Sequence, residues 1–371
     1  MSGLPSGAPG NLTPEEEQKL KHAWIHILRL GEHGILEETG SPPDLTSDLR
    51  RHLRDPSPAG FRRIFWGSIQ AEHPDGVMLR FLRARKWDVA QATAMFVSAV
   101  DWRAGRDLAG TIIRAGESVG LKADPTADET GFMAQYRSGK SFVHAADREG
   151  RLVYVVRVRL HDPRAQSGEA METYVLHTFE SLRMLATGPE DKFCLLFDLT
   201  GFGLANMDFR LVRFLVSVFE ARYPETLGAV LVHNAPFVFW GIWNIVKGWL
   251  DPVIASKIHF TKKPADLLPF VAAENLQTRY GGEDPWEYAY VEPVAGENAR
   301  LDDIETRARI EREREGIVRE FELETLAWAT GRGDAARRSD VALRLRENYR
   351  RLDPYVRART LYHRMGLVKD A

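Results

Sequence analysis

Apolar and polar residues follow three successive patterns along the chain, and each pattern predicts a different kind of structure. From residue 13 to about 110, apolar residues recur at helical spacing after a capping box at Thr13–Glu16, which predicts a small all-helical domain. From about 111 to 290, short apolar runs alternate with amphipathic segments and predict an α/β domain. Residues 291–371 return to helical spacing and predict a helical C-terminal extension.

Two continuous apolar runs in the α/β segment predict strands that are buried on both faces. They extend from Phe193 to Leu199 and from Ala229 to Val232. Residues 152–160 instead alternate between apolar and polar side chains, which predicts a strand with one core face and one partly solvated face. Because these strands alternate with amphipathic helices, the segment predicts a sheet covered by helices.

The most apolar stretch of the chain runs from Phe237 to Leu250, with the sequence FVFWGIWNIVKGWL. Pro236 before it and Asp251-Pro252 after it predict a helix of about fourteen residues. A membrane-spanning helix needs about twenty apolar residues, so this helix is too short to cross a bilayer. A helix that is apolar all round is either buried in a protein core or covers an apolar ligand and touches a membrane. The pattern alone leaves both interpretations open.

Composition excludes several classes of protein. The 371 residues have a formal net charge of -2, so the overall charge does not favour nucleic-acid binding. Cys194 is the only cysteine, which excludes intrachain disulfides and cysteine-ligated metal sites. Residues 1–12 lack the apolar core of a signal peptide, and we interpret them as a disordered tail on a cytoplasmic protein.

Motifs of the common nucleotide-binding and catalytic sites are incomplete. Gly139-Lys140-Ser141 matches the end of a phosphate-binding loop, but Ala134 stands where the motif requires its first glycine. Gly201-Phe202-Gly203 follows a strand, but Asn206 replaces the third glycine of a dinucleotide-binding loop. The eleven histidines do not pair at metal-ligand spacing with nearby carboxylates. The sequence therefore predicts no enzyme, no metal site and no cofactor.

Several separated segments resemble the CRAL-TRIO lipid-binding family. Residues 79–89, LRFLRARKWDV, resemble its helical N-terminal part. The segments that resemble the fungal phosphatidylinositol transfer proteins of this family are Tyr223-Pro224-Glu225, Asn234-Ala235-Pro236-Phe237, Leu250-Asp251-Pro252, Ser256-Lys257-Ile258, Glu274-Asn275-Leu276 and Tyr280-Gly281-Gly282. The resemblance covers about residues 75–290, with the motifs in the family's order.

This resemblance implies a helical N-terminal domain beside an α/β domain whose sheet floors an apolar pocket for one lipid. The helix from Phe237 to Leu250 takes the place of the family's gate helix, which swings to let a lipid exchange with a membrane. Opening such a gate in water costs about 25 cal/mol of free energy per Å² of apolar surface exposed, unless a bilayer covers that surface. The residues assigned to the gate helix and the pocket are Phe237, Phe239, Trp240, Ile242, Trp243, Val246, Trp249 and Leu250.

The resemblance also implies a site for the phosphatidylinositol headgroup. The family's arginine, glutamate and lysine fall at Arg85, Glu225 and Lys257. A buried phosphate needs fixed cationic donors of this kind. The family's threonine falls at Ile254, which lacks the hydroxyl, so the headgroup is bound more weakly or the ligand differs. Without the resemblance, a surface salt bridge would be the favoured interpretation of Arg85 and Lys257.

A second family site, for phosphatidylcholine, uses small hydroxyl residues on one strand. Phe193 and Leu195 stand at those positions and are predicted to form an apolar pocket wall instead. The loss of both hydroxyls argues against phosphatidylcholine. It favours a neutral lipid such as squalene or a sterol as the alternative ligand.

Three functional hypotheses follow. The leading one is a non-enzymatic carrier that loads phosphatidylinositol, exchanges it at cytosolic membrane surfaces and presents it to a lipid kinase. The second is a carrier or sensor of a neutral hydrophobic ligand with no phosphoinositide role. The third is an enzyme acting on lipid, for which we find neither a nucleophile with a base nor a metal site. We expect a monomer that visits membranes transiently and binds no cofactor and no nucleic acid.

Overall fold

A computed structural model describes residues 6–31, 42–186 and 192–369 of the chain. These residues form two compact units. The first comprises Met1–Gly116, Gly296–Arg359 and Lys369–Ala371, and the second comprises Glu117–Ala295 and Thr360–Val368. Each unit thus combines separate stretches of chain, and the domain boundaries predicted at residues 110 and 290 stay a prediction.

The helices and strands follow one another as the three sequence patterns predict. The α-helices are α1 Pro14–Leu30, α2 Thr46–Arg50, α3 Pro58–Ile69, α4 Pro74–Ala84, α5 Val89–Gly105, α6 Ala127–Arg137, α7 Gly168–Leu185, α8 Phe209–Ala221, α9 Phe239–Val246, α10 Pro252–Ser256, α11 Ile304–Ala329, α12 Ala335–Val356 and α13 Leu361–Arg364. The strands are β1 Ser141–Ala146, β2 Leu152–Arg157, β3 Phe193–Asp198, β4 Leu227–His233 and β5 Ile258–Thr261.

The first unit packs α1 to α5, α11 and α12 around one apolar core. The predicted capping box starts α1, because Glu16 N donates to Thr13 Oγ1 at 3.2 Å and Thr13 N donates to Glu16 Oε2 at 2.9 Å. Trp24 of α1 is fully buried, and its ring lies 5.5 Å from the ring of Phe321 of α11. α11 and α12 therefore share a core with the N-terminal helices.

The disorder predicted for residues 1–12 does not hold over the described part of that segment. Gly7 adopts a φ of 74°, which suits glycine, and its carbonyl oxygen accepts a hydrogen bond from Arg83 Nη1 at 2.6 Å. The turn at Gly7 is therefore attached to α4 of the same unit. Residues 1–5 lie outside the described residues.

The second unit is built on a sheet of five strands in the order β1-β2-β3-β4-β5. β1 pairs antiparallel with β2, and β2 to β5 run parallel. Parallel strands need crossover connections, which α7, α8 and α9 provide within this unit. This arrangement confirms the predicted α/β class with its sheet and helices.

The segment Thr360–Val368 is attached to the second unit by buried polar contacts. Glu117 is fully buried and accepts hydrogen bonds from Tyr290 OH at 2.6 Å, from Leu361 N at 2.7 Å and from Arg364 Nη2. A buried carboxylate is stable only with such partners. These contacts fix α13 in the second unit.

Candidate functional site: an apolar cavity over the sheet

The second unit contains a cavity of about 250 Å³ over one face of the sheet. β2, β3 and β4 form its floor, and α7, α8 and α9 form its walls. Representative apolar lining residues are Val156 of β2, Leu195 and Phe197 of β3, Val230 and Val232 of β4, Val175 and Phe179 of α7, Leu211 and Leu215 of α8, and Ile242 of α9. Such a lining suits a hydrophobic ligand.

Strand β3 is buried on both faces, as predicted, but for two different reasons. Leu195 and Phe197 line the cavity, whereas Cys194 and Leu196 belong to the core on the opposite face. Burial raises the pKa of the Cys194 thiol to about 12, so a thiolate nucleophile does not form there at neutral pH. The strand is therefore a cavity floor.

The pocket wall predicted at Phe193 and Leu195 needs one correction. Leu195 lines the cavity, but Phe193 does not, although both residues lie on the same face of β3. The wall continues from Leu195 through Phe197 to Leu199. Phe193 is the first residue of β3, and Leu227, which pairs with it on β4, does line the cavity.

The stretch predicted as the gate helix is shorter than expected. α9 covers Phe239–Val246 and continues as a 3-10 turn over Lys247–Trp249, and Phe237 precedes it. Residues spaced three or four apart lie on one helix face. The predicted gate residues that line the cavity are Phe239, Ile242, Trp243, Val246 and Leu250.

The other predicted gate residues lie elsewhere. Phe237 is 93% exposed and Trp240 is 42% exposed, with the Trp240 ring 4.9 Å from that of Phe260. Trp249 packs edge-on against Phe209 at 6.0 Å, and the guanidinium of Arg213 lies 4.7 Å from its ring. α9 thus presents apolar side chains on its outer side as well as toward the cavity.

Two of the residues predicted for headgroup binding lie close together. Lys257 Nζ lies 3.6 Å from Glu225 Oε2, and their side chains are 19% and 18% exposed. Glu225 adopts a φ of 57°, in the left-handed region that residues other than glycine rarely adopt. Ile254, in the preceding helical turn, lines the cavity. Arg85 ends α4 in the first unit, where its Nη1 donates to Ala84 O at 3.3 Å.

A polar cluster in the cavity was missed by the sequence analysis. Lys140 Nζ lies 3.1 Å from His161 Nδ1, and His161 Nε2 lies 3.3 Å from Asp208 Oδ2. Burial lowers the pKa of Lys140 to about 8. The sequence signal was a lysine directly before an apolar strand, in the incomplete phosphate-loop motif. His161 and Asp208 come from separate segments, so spacing does not reveal them.

Three hydroxyl groups also line this cavity. Ser141 Oγ lies 2.6 Å from Tyr154 OH and 2.5 Å from Tyr174 OH. Burial raises the pKa of Tyr154 to about 12 and also raises that of Tyr174, so both phenols stay protonated. These neutral groups can donate hydrogen bonds to a ligand oxygen or accept them from it.

The described residues contain neither a candidate metal cluster nor a helix suited to span a membrane. Within residues 6–31, 42–186 and 192–369, no three His, Cys, Asp or Glu side chains are grouped so as to hold a metal ion. Over the same ranges, no helix is long and apolar enough to cross a membrane.

Comparison with known proteins matches both units. Residues 136–282 match the CRAL/TRIO domain, and residues 46–98 match the CRAL/TRIO N-terminal domain. The chain is 33% identical to a CRAL-TRIO domain-containing protein of Schizosaccharomyces pombe, over 98% of this chain and 93% of that protein. It is 37% identical to the phosphatidylinositol transfer protein CSR1 of Eremothecium gossypii, over 85% and 73% respectively. It is 29% identical to the SEC14 cytosolic factor of the same organism, over 76% and 81%.

Proposed function

The chain belongs to the CRAL/TRIO domain family of lipid-binding proteins, and on this basis we propose that it carries phosphatidylinositol in the cavity of its second unit and exchanges this lipid at cytosolic membrane surfaces. The observation that carries the proposal is the position of α9. One face of this helix lines the cavity, and its outer side exposes further apolar side chains. A lipid inside and a bilayer outside are the two environments that suit such a helix.

The energetics of opening support an exchange at membranes. Moving α9 outward in water would expose the cavity face of the helix and the lipid behind it, at about 25 cal/mol per Å². A bilayer in contact with α9 removes this penalty, and tryptophan side chains such as Trp240 favour the membrane interface. The helix therefore opens most readily where the lipid has to leave or enter.

The charged pair beside the cavity supports an inositol phospholipid. Lys257 supplies a cation for the phosphate, and Glu225 accepts from inositol hydroxyls or holds the lysine in position. Arg85 belongs to the first unit, and its predicted role in binding the phosphate stays a prediction. Ile254 contributes an apolar wall at the place where a threonine hydroxyl would have assisted. The name of the relative CSR1, a phosphatidylinositol transfer protein, agrees with this ligand.

The proposed activity is transfer without catalysis. In this role the protein acts as a monomer, needs no cofactor, contacts membranes transiently and presents its lipid to a lipid kinase. Phosphatidylinositol has two acyl chains, so loading it requires α9 to move outward from its present position over a cavity of about 250 Å³.

A second candidate is a carrier or sensor of a neutral hydrophobic ligand such as squalene or a sterol. The observation that favours it is the apolar character of two positions, Ile254 and Leu195, which line the cavity where the family's lipid sites use hydroxyl groups. In this case Glu225 and Lys257 would form a structural ion pair.

Organic extraction of the purified full-length protein, followed by mass spectrometry of the extracted lipid, distinguishes the two candidates. We expect phosphatidylinositol in near-stoichiometric amount. A squalene-like or sterol ligand in its place would refute the proposal and support the second candidate. Transfer of radiolabelled phosphatidylinositol between vesicles provides the functional measurement, and transfer no faster than without protein would also refute the proposal.

A further inference from the structure

Lys140 is a buried cation in an otherwise largely apolar cavity. The residue is 4% exposed and its side chain lines the cavity. Its Nζ lies 3.1 Å from His161 Nδ1 and 3.4 Å from Met171 Sδ, and no carboxylate of the described residues forms an ion pair with it. A thioether is a weak acceptor, and burying an ammonium group without a contacting counter-charge is costly.

His161 and Asp208 hold this lysine in position. Burial and the charge of Lys140 lower the pKa of the His161 imidazole, so the neutral ring accepts from the ammonium through Nδ1. Its Nε2–H then donates to Asp208 Oδ2 at 3.3 Å. The carboxylate of Asp208 also caps α8 by accepting from Leu211 N at 2.9 Å, and the helix N-terminus offsets its negative charge. The ammonium is thus oriented but lacks an anion in contact.

The hydroxyl groups of Ser141, Tyr154 and Tyr174 extend this polar surface within the cavity. Lys140 Nζ lies 5.8 Å from the centre of the Tyr174 ring, and Ser141 follows Lys140 directly in the chain. A ligand oxygen at this place meets an ammonium group and neutral hydroxyl donors together. Such a donor set suits an oxyanion, because hydrogen bonds to a charged acceptor are about twice as strong as neutral ones.

This cluster lies far from the pair predicted for the phosphatidylinositol headgroup. Ser141 pairs with Val156, at the carboxyl end of β2, whereas Glu225 precedes the amino end of β4. Neighbouring strands lie about 4.8 Å apart, and each residue advances a strand by about 3.3 Å. With these spacings, the two sites lie roughly 20 Å or more from each other. Phosphatidylinositol bound by Glu225 and Lys257 would place its acyl chains at the Lys140 end of the cavity. The polar groups at that end are therefore not explained by this lipid.

We propose that Lys140, together with Ser141, Tyr154 and Tyr174, binds the anionic end group of a single-chain lipid, a carboxylate or a phosphate monoester, whose chain runs along the cavity toward α9. This inference rests on the proposed function only in taking the cavity to be the lipid site. The anion supplies the counter-charge that the ammonium lacks in the described structure. A volume of about 250 Å³ is small for a ligand pocket and suits one hydrocarbon chain better than two.

The test compares three lipids with the same oleoyl or oleyl chain: oleate, oleoyl lysophosphatidic acid and oleyl alcohol. Their affinities for the full-length protein are measured by competition with a fluorescent polyene lipid. We expect at least one of the two anions to bind about tenfold or more tightly than the alcohol, the range expected for a hydrogen-bonded charge. Tight binding of oleate alone identifies a carboxylate ligand, and tight binding of the lysophospholipid alone identifies a phosphate ligand.

Two variants test whether Lys140 causes the preference for anionic lipids. Lys140→Met keeps the length of the side chain and removes the charge, and it is expected to abolish the preference for the anion while the affinity for oleyl alcohol changes less than about threefold. Lys122→Met removes an exposed lysine charge of the same unit and should leave all three affinities unchanged. If Lys140→Met does not fold, the preference of the unmodified protein decides the question.

The inference is overturned if the anions and the alcohol bind the unmodified protein equally, or if Lys140→Met retains the preference. Transfer of phosphatidylinositol is measured on the same preparations to separate the two proposals. Transfer without any anion preference removes this inference and leaves the proposed function intact. An anion preference that depends on Lys140, without phosphatidylinositol transfer, supports this inference and removes the proposed ligand.

Discussion

Lys257 Nζ lies 3.6 Å from Glu225 Oε2, so two charged residues from separate segments of the chain form a partly buried ion pair. Both side chains are about four fifths buried, and the neighbouring Ile254 lines the cavity. Partial burial weakens solvent screening, so this pair interacts more strongly than an exposed one. Its position beside the cavity is the basis of the first prediction.

Replacing Lys257 by alanine should slow phosphatidylinositol transfer about tenfold or more, because the phosphate loses a charge-assisted hydrogen bond worth about 1.5–3 kcal/mol. Vesicle-to-vesicle transfer of radiolabelled lipid measures the effect. Lys122→Ala, an exposed charge of the same unit, serves as the control and should transfer normally. Equal transfer by both variants would contradict a headgroup role for Lys257.

Replacing Ile254 by threonine should increase the affinity for phosphatidylinositol relative to neutral lipids. The threonine hydroxyl restores a donor at the cavity wall, which a phosphate or inositol oxygen can use and a hydrocarbon cannot. Competition between phosphatidylinositol and squalene for the purified variant measures the ratio, and we expect a shift of about three- to tenfold. A shift toward squalene would mean that the phosphatidylinositol headgroup does not reach Ile254.

Replacing Phe237 by serine should weaken binding to liposomes without destabilising the fold. The side chain is 93% exposed, so its removal costs little stability, whereas its insertion into a bilayer contributes about 1.5–3 kcal/mol. Sedimentation with liposomes that contain phosphatidylinositol should show a loss of about tenfold or more. Leu343→Ser, an exposed leucine on α12, is the matched control. An equal loss in this control would indicate that the effect is not specific to the α9 region.

Replacing Arg338 by methionine should strongly destabilise the first unit. Arg338 donates two hydrogen bonds of 2.6 Å to the Asp75 carboxylate, which also accepts from Trp24 Nε1 at 2.7 Å. Removing the arginine leaves a buried carboxylate without its cation, which costs about 3–5 kcal/mol. Urea unfolding measures the loss, and the double variant Asp75→Asn, Arg338→Met should recover part of it. A single variant as stable as the unmodified protein would refute this role for the pair.

The same pair predicts a dependence of stability on pH. Burial alone would raise the pKa of Asp75, but the charge and hydrogen bonds of Arg338 outweigh it and lower the pKa to about 2 from the usual 3.8. A depressed pKa stabilises the folded state above the unfolded pKa, so the contribution of about 2 kcal/mol is complete above about pH 4 and is lost as the pH falls toward 2. Urea unfolding of Asp75→Asn between pH 2 and about 5 should lack this part of the pH dependence.

Sequence patterns predicted the type of each helix or strand better than the residues at which it begins and ends. The capping box at Thr13 correctly predicted the start of α1, and the apolar run from Phe193 correctly predicted β3. Both signals succeed because capping and periodicity are local properties. The stretch from Phe237 was predicted as one helix of about fourteen residues, but α9 begins at Phe239 and tightens into a 3-10 turn at Lys247. Element ends depend on backbone geometry that apolar character does not determine.

The sequence by itself determined that the chain has helical and α/β parts, and its separated motifs identified the family. Only the tertiary structure decided which side of each element meets the cavity. Leu195 and Leu196 are identical in type, yet one faces the cavity and the other a packed core, because strand alternation gives two faces without saying what covers them. Lys140, His161 and Asp208 meet through folding of three separate segments, and no spacing in the sequence encodes that contact.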